Sequence, residues 1–188
     1  TPDGVKLVRL LGNAGSDMLV GNELDNSIDG GADNDYLWGE AGNDAIQGGA
    51  GDDVIWGEEG DDILNGGLGN DLLDGGDGDD VITGGAGSDA ISGGSGADRF
   101  VYKAVSDSSA ASDQDLIFDF KGSEGDRIDL SSIQQGLAFI GSDAFSGKVG
   151  EVRFANGELQ ANTSGDQKAD FAVTLAGVSS FEKEFLVV

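Results

Sequence analysis

The chain contains no cysteine and no histidine. Disulfide staples and thiolate metal centres are thereby excluded, as are the usual zinc ligand and the usual general base. Basic residues are also scarce, 10 lysines and arginines against 36 aspartates and glutamates, for a formal net charge of -26. Binding to nucleic acid or to an anionic membrane surface requires clustered positive charge, so neither is expected as a partner. No apolar run approaches the ~20 residues that span a bilayer, so no membrane span is expected. The first residues show no basic segment followed by a long apolar stretch, and no amino-terminal export signal is expected within this sequence. So high a charge on 188 residues would ordinarily leave a chain disordered through self-repulsion. Hard cations with oxygen ligands are the partners that survive these exclusions.

What the chain does have is glycine, 34 residues of it against a single proline, arranged with a period. From Gly12 to Val101 ten units of nine residues run in register without insertion, from GNAGSDMLV through GGAGDDVIW to GGSGADRFV. Position one is glycine in every unit. Position six is Asp17, Asn26, Asp35, Asp44, Asp53, Asp62, Asp71, Asp80, Asp89 and Asp98. Position eight is always large and apolar, from Leu19 and Ile28 to Ile91 and Phe100. Six glycine-rich residues followed by three of β character predict a turn and a short strand, with position eight facing inward.

One inward apolar side chain cannot bury itself alone. Two strands facing each other across a flattened coil can, which makes the structural repeat eighteen residues and gives five stacked coils of parallel ladders about 4.8 Å apart. A three-sided coil of 27 residues is the geometric alternative. In the eighteen-residue coil each aspartate faces its counterpart one coil away, Asp44 beside Asp62 and Asp53 beside Asp71, and such pairs repel unless neutralised. Calcium takes about six to eight oxygens, from carboxylates and from the carbonyls that glycine-rich turns expose, whereas magnesium holds on to its waters. Calcium sites between consecutive turns are therefore expected.

These units resemble the RTX (repeats-in-toxin) nonapeptide GGxGxDxUx. The resemblance implies an all-β, right-handed parallel β-roll in which the sixth-position aspartates and turn carbonyls bind Ca²⁺ along both edges. Units four to ten match best, and turns paired through Gly42, Gly51, Gly60, Gly69, Gly78, Gly87 and Gly96 give five well-formed sites. Unit two departs from the pattern with Leu24 and Asn26, and unit three with Asp33, so three further N-terminal pairs are weaker. About five to eight ions are expected.

After Val101 the period is lost, and the domain boundary is placed there: residues 1–101 as the roll, 102–188 as a β-rich C-terminal cap covering its last coil. Residues 1–101 hold 22 of the 36 acidic side chains but 3 of the 10 basic ones. Asn156-Gly157 between two alternating segments predicts an antiparallel hairpin. The run Asp115-Leu-Ile-Phe-Asp119-Phe, followed by Gly125-Asp126-Arg-Ile-Asp129, resembles the segment after the repeats in serralysin-type proteases and mannuronan epimerases. That resemblance makes Asp115 and Asp119 candidates for a further ion. The terminus Glu184-Phe185-Leu186-Val187-Val188 is similar to those of proteins exported by type I secretion machinery, and it also suits a closing edge strand.

Sorting the outward positions by sheet leaves one face apolar over three coils, with Tyr36, Trp38, Val54 and Trp56. An attached N-terminal domain, the cap or a polysaccharide would suit it. The carboxylates belong to a repeating lattice with no distinct acid and base pair, so the module itself is expected to be non-catalytic. The reading is a secreted, extracellular calcium-binding module that folds after export and stabilises an attached domain, with polysaccharide binding, alginate-like, as the alternative.

Overall fold

A computed structural model describes residues 8–188. The described residues form eighteen strands and two 3-10 turns, with no α-helix among them. The repeat region supplies β1 (Val8–Ala14), β2 (Met18–Val20), β3 (Asn26–Ala32), β4 (Tyr36–Ala41), β5 (Ala45–Ala50) and β6 (Val54–Glu59). It continues with β7 (Ile63–Leu68), β8 (Leu72–Asp77), β9 (Val81–Ala86), β10 (Ala90–Ser95) and β11 (Arg99–Val101). Odd-numbered strands stack in one sheet and even-numbered strands in the other, each pairing in parallel with the strand one coil later. The register is eighteen residues, as in Ile46↔Leu64↔Ile82 and Leu37↔Ile55↔Leu73. This settles the coil as two-sided.

The repeat strands run longer than three residues. Most span six, positions seven to nine of one unit and one to three of the next. Pairing skips position one, as from Trp56↔Asp74 to Glu58↔Gly76, so each strand is two short arms meeting at a glycine. Position eight builds the core: Ile28, Leu37, Ile46, Ile55, Leu64, Leu73, Ile82, Ile91 and Phe100 are all buried, while Leu19 at the open end is half-buried.

The parallel ladders continue past Val101. β12 (Asp115–Ile117) joins β10, and β13 (Arg127–Asp129) joins β11. Ile117 and Ile128 there extend the two core columns. Beyond them lie β14 (Ala138–Phe139), β15 (Glu151–Ala155), β16 (Glu158–Asn162), β17 (Phe171–Leu175) and β18 (Leu186–Val187). β17 and β18 pair in parallel with β12 and β13, adding Leu175 and Leu186 to the columns. β15 and β16 form the antiparallel hairpin, with Asn156 (φ 56°) and Gly157 (φ 84°) both in the left-handed region that a two-residue hairpin loop demands.

The cap closes the end of the roll with aromatic side chains. Phe181 lies 5.6 to 5.8 Å, centroid to centroid, from Phe120, Phe139, Phe154 and Phe185. The C-terminal residues supply a closing strand through Leu186 and Val187. On the outer face of the even-strand sheet, Trp38 and Trp56 stack at 4.7 Å and 12°, with Tyr36 6.2 Å from Trp38. Both tryptophans and Val54 are half-buried and Tyr36 is exposed. No part of the described cap covers Met18, 71% exposed at the open end of this face.

Candidate functional site

The sixth-position side chains fall into two rows, one along each edge. On the first edge Asp17, Asp35, Asp53, Asp71 and Asp89 follow one another. Each donates its backbone N–H to Oδ1 of the next at 2.8 to 2.9 Å. On the second edge Asn26, Asp44, Asp62, Asp80 and Asp98 do the same at 2.6 to 3.1 Å. Both rows run on into the cap, since Asp89 N–H donates to Asp115 and Asp98 N–H to Asp126. The eighteen-residue step becomes 26 and 28 residues at these last rungs.

This arrangement uses half of each carboxylate. Oδ2 of Asp17, Asp35, Asp44, Asp53, Asp62, Asp71, Asp80, Asp89, Asp98 and Asp115 is buried and meets no hydrogen-bond donor. Position-one glycine makes room for it. A Cβ on Gly48 would lie under 3.0 Å from Asp53 Oδ2 and 2.7 Å from the Gly66 carbonyl oxygen. A side-chain oxygen and a main-chain oxygen of the next coil therefore converge over that glycine. The fourth-position residue is packed as tightly: Gly69 has φ 126°, and a Cβ there would fall under 3.0 Å from the carbonyl of Gly51 one coil before. Gly60, Gly78, Gly87 and Gly96 repeat this contact with Gly42, Gly60, Gly69 and Gly78.

Burial without a counter-charge shows in the acidity. Desolvation is the largest cause throughout, with neighbouring row carboxylates adding to it in most. It raises Asp62, Asp89 and Asp98 to about 6, Asp71 and Asp80 to about 7, and Asp115 to about 8. Asp35, Asp44, Asp53 and Asp126 are raised as well, again chiefly by burial. A protein that buries rows of carboxylates facing carbonyls, with one oxygen of each left bare, fits a hard divalent cation and little else. Among the described residues no three acidic side chains converge on one point, so a cation held here would draw on row carboxylates together with turn carbonyls.

The two cap candidates separate. Asp115 is the sixth rung of the first row. Asp119 instead sets its carboxylate on the backbone N–H groups of Gly93 (3.0 Å) and Gly94 (2.8 Å) and on the Ser92 hydroxyl (2.9 Å). Asp126, which closes the second row, carries the sequence signal of a unit, Asp-Arg-Ile-Asp, with its isoleucine at position eight.

Two further features escape a reading of sixth positions alone. The exposed fifth-position side chains form an outer ladder running the opposite way: Asn34 accepts from Asp52 N–H, Asp52 from Asn70 N–H, and Asp61 from Asp79 N–H. Asp and Asn at position five of units two to eight were the signal. The first row also has a terminator. Ser108 Oγ accepts the Asp115 N–H at 2.9 Å, where a further carboxylate would have stood. Arg127 donates to the Gly125 and Asp126 carbonyls at 2.8 and 2.7 Å.

The family profile described as "Peptidase M10 serralysin C terminal" matches residues 3–187. Among solved structures, the AlgE6R3 subunit of the Azotobacter vinelandii mannuronan C5-epimerase is 26% identical, covers 94% of this chain and 79% of its own, and has a TM-score of 0.41. The AlgE6R2 subunit from the same source is 27% identical over 93% and 90%, with a TM-score of 0.39. The extracellular lipase LipA of Serratia marcescens is 18% identical over 93% of this chain and 40% of its own, with a TM-score of 0.35. No curated protein matches.

Proposed function

Since the chain belongs to the peptidase M10 serralysin C-terminal family and is an RTX-type β-roll, we propose that it is a calcium-dependent folding module of a larger secreted protein, non-catalytic in itself. The observation that carries this reading is the pair of buried aspartate rows whose Oδ2 atoms have no partner. Calcium held in the turns would supply the positive charge the rows lack. Asp35, Asp53, Asp71, Asp89 and Asp115 would hold it on the first edge, and Asp44, Asp62, Asp80 and Asp98 on the second, with turn carbonyls completing the ligand sets.

Magnitude decides that such sites would control folding. With Kd of ~0.1 to 1 mM, typical of extracellular modules, each site contributes ~1.4 to 2.7 kcal/mol at ~10 mM calcium. About eight sites then contribute ~10 to 20 kcal/mol, as much as the net stability of a whole domain, and the contribution vanishes well below Kd. The chain would remain unfolded in a calcium-poor cytosol, suited to passage through type I secretion machinery, and would fold outside beside the domain it accompanies. Circular dichroism in calcium and in excess chelator tests this. Loss of β signal in chelator and its return with calcium are expected, and equal β content in both would overturn the reading.

The aromatic strip of Tyr36, Trp38 and Trp56 on an uncovered sheet face supports a second role, docking of a polysaccharide. Titrating alginate or another acidic or neutral oligosaccharide against tryptophan fluorescence separates it from a pure folding module, which would show no quenching.

A further inference from the structure

The second row begins with an asparagine, and the surroundings of that residue show what the row's bare oxygens face. Asn26 is 1% exposed. Its backbone N–H behaves like every other in the row, donating to Asp44 Oδ1. Its side chain differs. Where other units bring Asp Oδ2 against the position-one glycine, this unit brings Asn26 Nδ2, 3.1 Å from where a Cβ on Gly21 would stand.

That nitrogen, with two hydrogens to share, lies within hydrogen-bond reach of three acceptors: the Asn22 carbonyl at 3.0 Å, the Leu24 carbonyl, and Asp44 Oδ1 at 3.0 Å. All three are oxygen acceptors, which fixes the amide with its nitrogen inward, and the amide oxygen is left without a donor. Two carbonyls of one turn and a carboxylate of the next thus surround a single point, and the side-chain group set at that point is the protein's own NH₂.

We propose that Asn26 is a built-in surrogate for the cation. Its amide fills the seat between the turn at residues 21–26 and the turn at residues 39–44. The first turn pair of the second edge therefore takes no ion, and the ion row on that edge begins one coil later, between Asp44 and Asp62. Asn26 in this way sets the number of ions and gives the N-terminal end of the roll a rung that holds without metal. The inference rests on the calcium reading above.

The test is the Asn26→Asp variant, which removes the donor and restores the carboxylate of the other units. Native mass spectrometry at saturating calcium counts the ions bound by the folded 188-residue chain and by the variant. The expected result is one more ion in N26D than in the wild type, with folding that demands more calcium at its onset. In the calcium-saturated wild type, NMR should find the Asn26 side-chain amide protons slow to exchange. An equal ion count in the two proteins, a variant that stays unfolded at saturating calcium, or a rapidly exchanging Asn26 amide would each overturn the proposal. A wild type that binds no calcium at all would instead overturn the calcium reading, and this inference with it.

Discussion

Asp53 donates its backbone N–H to Asp71 Oδ1 at 2.8 Å across one coil, while Asp71 Oδ2, equally buried, meets no donor. One oxygen of the carboxylate serves the fold and the other awaits a charge. The two duties can be separated by Asp71→Asn, which keeps an acceptor for Asp53 and removes the charge. In calcium the variant should lose ~1 to 3 kcal/mol, the contribution of one site of ordinary extracellular affinity. In chelator, relieved of repulsion from Asp89 and Asp53, it should hold structure better than the wild type. Melting curves under both conditions check the reversal, and a shift of the same sign in both would sink the idea.

The metal-free protein should respond to acid in the opposite sense to most proteins. Burial raises Asp71 and Asp80 from 3.8 to about 7 and Asp115 to about 8. Between about pH 4 and pH 8 the folded chain therefore binds more protons than the unfolded one, and stability falls as pH rises by ~1.4 kcal/mol per unit for each extra proton held. Lowering the pH from ~7.5 to ~5 in chelator should increase β structure, as followed by circular dichroism. With calcium present the trend turns round, because protons compete for the same carboxylates.

How much of this was legible in the sequence follows from what repeats. Position eight and position six recur every nine residues, so the core column and the acid rows could be read directly, and the eighteen-residue register followed from the need of Ile46 and Leu64 to face a second sheet. Strand length could not be read the same way. Glycine at positions one and two hides the fact that the strand runs on through the unpaired first position to the paired second, since its place there is dictated by neighbouring carbonyls and not by β propensity. The last rungs, Asp115 and Asp126, lie outside the period because loops of irregular length separate them from Asp89 and Asp98. Only the local pattern of an acid two residues before a core isoleucine marks them. The Phe181 cluster left no periodic trace, as it joins residues distant in the chain.

Two glycines separate backbone strain from crowding. Gly15 and Gly69 both have positive φ, 99° and 126°, yet a Cβ on Gly15 would meet nothing within 4 Å while one on Gly69 would strike the Gly51 backbone. Gly15→Ala should cost ~1 to 3 kcal/mol, the strain of the conformation alone. Gly69→Ala must also push two coils apart, and should abolish folding or raise the calcium needed far beyond what Gly15→Ala requires. Calcium titrations of both variants decide it, and equal effects would show that close stacking of the turns is not what demands glycine there.

Ser108 ties the cap to the end of the first row, and its removal should be felt in both. It is fully buried, its hydroxyl donates to the Ala172 carbonyl on β17, and its Oγ accepts the N–H of Asp115, whose own Oδ1 accepts from Asp89. Ser108→Ala leaves a buried N–H and a buried carbonyl without partners, at ~1 to 3 kcal/mol each. A total loss of ~2 to 6 kcal/mol is expected, against no measurable change for Ser123→Ala on the exposed loop after β12. Because Asp115 is held by this bond, hydrogen exchange should quicken at the Asp115 and Asp89 amides and remain slow at Asp53. Faster exchange spread evenly along the roll would show instead that the serine supports the whole fold and not the junction between its last rung and the cap.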